Sequence, residues 1–154
     1  MTRARDFWAS TVKPTVDEFA ADPTSLRRGR VAAIVLHQMI DYWALEGYQT
    51  TTNSASRTLN ATLRARLAAG CPDLLVVADV ADATKHAVLT STSRTVRTSE
   101  DVSQPPGLFQ APFGEAVFAE AAFVEVALTD GTRRSLIDAI ENVMEMWEVE
   151  LSGP

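Results

Sequence analysis

Within Asp79-Val-Ala-Asp-Ala-Thr-Lys-His86, two carboxylates, an ammonium and an imidazole fall in eight residues. Asp79, Asp82 and His86 are spaced by three and then four, so on a helix they share one narrow sector. A second set, Arg30, His37 and Asp41, is spaced by seven and four. It forms one stripe on VAAIVLHQMIDYWAL, a segment apolar almost all the way round, as a buried helix would be. A carboxylate carried into such an environment needs a cation, hydrogen-bond donors or a metal ion.

If the two stripes face each other, His37, Asp41, Asp79, Asp82 and His86 converge in the interior of a helical bundle. Imidazole and carboxylate groups from facing helices are a common way for bundles to hold Mn, Fe or Zn. On this reading His37, Asp41, Asp82 and His86 are the metal ligands, Asp79 is a ligand or base, and Lys85 contacts an anion. A bound divalent ion would acidify a water molecule, giving a metal-dependent hydrolase. Two blander arrangements use the same residues. The Asp79 stripe would be a solvated face, or Arg30 would pair with Asp41 while the histidines make buried hydrogen bonds.

Arg30-x6-His37 also resembles the Arg-x4-6-His motif of HEPN ribonucleases, small helical-bundle proteins of bacterial toxin and defence systems. The resemblance extends over the helical part, about Arg3 to Leu89. It implies that Arg30 positions a phosphate and His37 takes part in proton transfer, cleaving RNA without a metal. The D-x-x-D-x-x-K-H segment from Asp79 to His86 is similar to small bacterial and phage-borne proteins, a similarity that implies no activity. A third reading has no chemistry: Trp8, Trp43 and Trp147 belong to the core, and the acidic last helix serves a homodimer or another partner.

The elements that must position these residues follow from punctuation and periodicity. A first helix carries Phe7, Trp8, Val12, Val16 and Phe19 but contains Pro14, which should kink or restart it. Thr24 or Ser25 caps a second helix to about Leu45, Asn53 or Ser54 caps a third that stops at Gly70, and Pro72 opens a fourth that runs to about Leu89. TSTSRTVRTSEDV has the composition of a strand. QPPGLFQAPFG reads as a loop anchored by Phe109 and Phe113. AAFVEVALT and TRRSLI flank Asp130-Gly131 as a hairpin, with Arg133 and Arg134 on a solvated strand face. Ile137, Ile140, Met144, Trp147 and Leu151 give the closing helix one apolar face. The expected fold class is α+β: a bundle of about four helices (3–89), then a small three-stranded antiparallel sheet and a C-terminal helix (90–152), in one domain spanning 1–154.

Composition narrows the function. The 154 residues suffice for a core without staples, and Cys71 is the single cysteine, read here as packed and inert. No apolar run has the roughly 18 residues that span a membrane, and MTRARDFWAS lacks a secretory apolar segment, so a cytoplasmic protein is expected. Twelve arginines against two lysines, with abundant alanine, suggest a GC-rich bacterial coding sequence. The net charge of −6 argues against an extended nucleic acid and for a small or nucleotide-sized substrate. Gly-rich phosphate loops, paired cysteine motifs and a Gly-x-Ser-x-Gly elbow are all absent from the sequence.

Overall fold

Thr2 accepts a hydrogen bond from the Arg5 amide and starts α1 (Arg3–Phe7), the first of six α-helices in the computed structural model, which describes residues 2–105 and 123–153. Pro14 acts one turn earlier than a simple kink. Residues Trp8–Val12 widen into a π-helical stretch, the Lys13 amide reaches back to the Trp8 carbonyl, and α2 (Lys13–Ala20) begins with the proline in its first turn. A residue without an N–H is tolerated there because the first amides of a helix have no intrahelical acceptor.

Ser25 caps α3 (Leu26–Ala44), and Thr52, not the expected Asn53 or Ser54, caps α4 (Asn53–Gly70) because its hydroxyl accepts from the Ala55 amide. The central element is α3, which packs on α1, α2, α4, α5 (Asp73–His86) and α6 (Leu136–Ser152). Phe19, Leu36, Met39, Leu74, Leu136, Ile140 and Trp147 are fully buried between these helices. Gly29 allows the closest approach: a Cβ there would lie 2.9 Å from Leu136 Cδ2 and 3.0 Å from the Phe19 ring. The apolar face expected of the last helix is the buried face of α6, with Met144 at its margin. Glu150 ties α6 to its neighbours, accepting from Trp43 Nε1 at 3.0 Å and pairing with Arg66.

The α+β order is as the sequence predicts, with about five helices, a three-stranded antiparallel sheet and a terminal helix. β1 (Val102–Ser103) pairs with β2 (Glu125–Ala127), which pairs with β3 (Arg133–Ser135), in the order β1-β2-β3. Val126 stands opposite Val102 and Arg134. The Asp130-Gly131 turn closes the hairpin: Gly131 has φ +87°, and Asp130 accepts from the Thr132 amide and hydroxyl at 2.8 and 2.6 Å. TRRSLI is only half strand, because Ser135 becomes the N-cap of α6 and Leu136 enters the helix. Phe109, Phe113 and their loop lie outside the described residues. Among those described, no helix is long and apolar enough to cross a membrane.

Two further boundaries differ from expectation. The fourth predicted helix, α5, stops at His86 and not near Leu89. Ala87 there has φ +63° and ψ −45°, and the Val88 amide donates to the His86 carbonyl at 2.7 Å, a strained γ-turn. The stretch 90–102 is strand only at its end. Three of its backbone donors are taken by carboxylates, Thr95 N–H by Asp79 and Arg97 and Thr98 N–H by Asp101, while the Ser99 amide reaches the Ala87 carbonyl in an isolated bridge. Side-chain capture of this kind competes with a β-ladder and produces turns and the short 3-10 helix at Ser99–Asp101.

Candidate functional site

α5 is the most enclosed helix, and Asp79 in its middle is 1% exposed, the one buried charged residue among those described. It is fully partnered. Oδ1 accepts from Arg94 Nη1 at 2.6 Å and Arg64 Nη2 at 3.3 Å, and Oδ2 from the Thr95 amide at 2.6 Å and hydroxyl at 2.9 Å. Four donors on two oxygens supply what water would have supplied, and this makes a buried carboxylate tolerable. The stripe containing Asp79 is therefore no solvated face at its centre.

One turn on, Asp82 shares Arg94 Nη1 at 2.8 Å, and its Oδ1 meets Lys85 Nζ at 3.1 Å and His37 Nδ1 of α3 at 3.5 Å. Burial alone would push the Asp82 carboxyl up, but Lys85, His37 and Arg94 outweigh it and hold the group below the usual carboxylate range. Burial is the largest influence on His37 as well and lowers its pKa, with the Asp82 charge opposing and Lys85 and Arg64 assisting. The imidazole is thus neutral near pH 7. Asp79 in turn raises the pKa of Arg94, fixing that guanidinium as a cation.

His37 opens into a cleft of about 490 Å³ between α3 and α4, floored by Ile40 and Leu75 and walled by Asp41, Arg57, Asn60, Ala61, Arg64 and Ala65. A second cleft of about 350 Å³ lies across Arg64 and Leu75, against Asp79 and the turn Ser91 to Thr95. Both volumes are in the range that holds small organic ligands.

The structure thus brings His37 and Asp82 together, with Lys85 at their edge and Asp79 behind. Asp41 lines the same cleft at its open end, hydrogen-bonded by Asn60 Nδ2. His86 stands exposed in the last turn of α5 and makes no hydrogen bond or ion pair with the other four. Arg30 is tied elsewhere, donating through Nη2 to the Ser99 carbonyl at 2.7 Å and the Val102 carbonyl at 3.4 Å. It supports the turn entering β1, and Arg57 and Arg64 are the arginines beside His37. Among the described residues, no three His, Cys, Asp or Glu side chains are grouped so as to hold a metal ion. An ion between His37 and Asp82 would compete with Lys85 and Arg94 for the carboxylate.

Two other expectations are settled here. Cys71 is buried with its thiol toward the Asn142 carbonyl at 3.7 Å, and burial pushes its pKa up, so it is not a poised thiolate. Arg134 is not on a solvated face. It makes a two-pronged pair with Asp73 (Nε–Oδ1 3.0 Å, Nη2–Oδ2 2.7 Å), whereas Arg133 stays exposed and faces Glu125 at 3.0 Å.

Arg57, Arg64, Arg94, Thr95 and Asn60 were not marked by spacing to the His/Asp stripes. The available signals were the seven-residue interval from Arg57 to Arg64, which places both on one face of α4, and the requirement that a buried Asp79 find cations. Comparison of the chain with protein-family models, with curated proteins and with solved structures finds no match.

Proposed function

We propose that the cleft between α3, α4 and α5 binds a small anionic organic molecule and that His37 exchanges a proton with it. The observation that carries this reading is the placement of Arg64. Asp79 holds it through one nitrogen, and it lines the same cleft as a neutral His37 whose Nδ1 faces a carboxylate. A carboxylate on the Nδ1 side favours the tautomer with hydrogen there and leaves Nε2 as the acceptor, the arrangement of a general base. At 3.5 Å the His37–Asp82 contact is long for a hydrogen bond, and an arriving anion that draws a proton onto the imidazole would tighten it. Any reaction at this site is then acid–base chemistry on a molecule held by arginine.

The test is the His37 imidazole titration, followed by NMR with and without sugar phosphates, nucleoside monophosphates and dicarboxylates. A binding anion raises the His37 pKa and the melting temperature, and Arg64→Ala removes both effects. If no member of the panel moves His37, the reading fails.

A second reading is supported by the approach of His37 to Asp82: a divalent ion, Mn, Fe or Zn, held by these two and completed by water in a hydrolytic site, with Asp41 lining the same cleft as His37. Protein stripped by chelator and melted with each ion separates the two. Stabilisation by several degrees with one ion, lost in His37→Ala, supports the metal, and an unchanged midpoint removes it.

A further inference from the structure

The two clefts beside Arg64 differ in chemistry. One presents carbon, from Ile40, Ala61, Ala65 and Leu75, and the other presents cations and hydroxyls, from Arg64, Arg94, Ser91 and Ser93. Arg64 and Leu75 belong to both, so no other side chain need separate two parts of one ligand. We propose that together they form a bipartite site for a phosphate monoester with a ring-sized apolar body, the phosphate lying at Arg64, Arg94 and the serines. This rests on the reading of the region as an anion site and names the class of anion.

Three features support a phosphate there. Arg64 spends only Nη2 on Asp79 and Arg94 only Nη1 on Asp79 and Asp82. Their Nε atoms and second Nη atoms have no acceptor among the described residues and are not buried, so two oriented guanidinium edges remain for an oxyanion. Ser91 Oγ and Ser93 Oγ lie 2.9 Å apart, and since one hydroxyl hydrogen fills that contact, the other is left to donate outward. Asp79 would repel an anion if its oxygens were open, but all of them are engaged and the residue is 1% exposed.

Charge adds to this. Arg57, Arg64, Lys85 and Arg94 face Asp41, Asp79 and Asp82, a local excess of one positive charge in a chain of net −6. A tetrahedral dianion matches two forks and a hydroxyl better than a planar carboxylate does, and the 490 Å³ beyond Arg64 accommodates the organic group next to His37.

Calorimetry with inorganic phosphate, phenol and phenyl phosphate tests the proposal, with the amide signals of residues 91–95 followed by NMR. Phenyl phosphate is expected to bind at least tenfold more tightly than either fragment and to shift those amides. Ser93→Asp, an exposed position whose folding is checked by circular dichroism, should abolish binding of both phosphates. Ala61→Trp should abolish the advantage of phenyl phosphate over phosphate. Equal affinities for phenyl phosphate and phosphate, unmoved amides at 91–95, or unchanged affinity in Ser93→Asp would overturn it. If dicarboxylates shift His37 while phenyl phosphate does not bind, only the bipartite phosphate site falls. If neither acts, the anion reading falls with it.

Discussion

Thr95 gives both its backbone N–H, at 2.6 Å, and its hydroxyl, at 2.9 Å, to the same oxygen of Asp79. A side chain in the middle of a buried helix thereby fixes the backbone of a neighbouring turn, and the same carboxylate orients Arg64 and Arg94.

Asp79→Ala should be severe. It leaves Arg64 and the Thr95 amide without their acceptor and takes from Arg94 one of its two carboxylates, and removing one partner of a buried charge cluster typically costs about 3–5 kcal/mol. Urea denaturation should show a large fall in midpoint, and hydrogen exchange should show the Thr95 amide losing its protection. A loss below about 1 kcal/mol would mean that water replaces the carboxylate, against the burial seen here.

Stability should fall in two stages on acidification. His37 has a folded pKa below its ordinary 6.5, so the unfolded chain binds more protons there, and stability is lost as pH falls through about 6.5 until the folded value is passed. Asp73, held down chiefly by Arg134, and Asp82 both lie below their ordinary 3.8 in the folded state. Their contribution is present above that value and is lost as pH falls through their folded pKa values. His37→Gln, which stays neutral, should erase the upper stage and leave the lower one in a series of denaturation curves from pH 8 to 3.

Gly29→Ala should destabilise although it adds helix propensity. Alanine is worth roughly 1 kcal/mol over glycine in a helix interior. The new Cβ, however, meets Leu136 and Phe19 at 2.9–3.0 Å, and both are fully buried and closely packed. Overpacking of that kind costs about 1–3 kcal/mol, so a net loss in melting temperature is expected, and a gain would show that α3 can shift away from α6.

Ala87→Gly should do the opposite. The γ-turn at φ +63° strains any residue with a Cβ, at a cost on the order of 1–3 kcal/mol. Glycine relieves most of it, less roughly 0.5–1 kcal/mol for its greater freedom when unfolded. A melting temperature equal to or above that of the parent is expected, and a marked decrease would argue against the turn.

Much of the fold was legible because it rests on local signals: Ser25 as cap, Gly70 as the end of a helix, Asp130-Gly131 as a turn, and the 3–4 spacing of the last helix. The two stripes were legible for the same reason, since spacing alone puts Asp79 beside Asp82 and His37 beside Asp41. What spacing does not carry is the partner from another segment. Arg94 sits in a stretch whose Thr and Val content suggests a strand, and the contacts that hold it as a turn, Asp79 on the Thr95 amide and Thr129 on the carbonyls of Arg94 and Thr95, come from other segments. The spacing of Arg30 to His37 is silent for the same reason on the carbonyls of residues 99 and 102, which take its Nη2.

The two carboxylates at either end of the first half of α5 reach very different distances along the chain. Asp79 closes a loop of 16 residues to Thr95, and Asp73 one of 61 residues to Arg134. Closing the longer loop costs more chain entropy, and its partner is part of a hairpin that must itself be formed. On loop length alone, the turn carrying Arg94 is expected to settle on α5 before the Asp73–Arg134 clamp closes, and the Trp43–Glu150 tie, spanning 107 residues, is the more costly closure still.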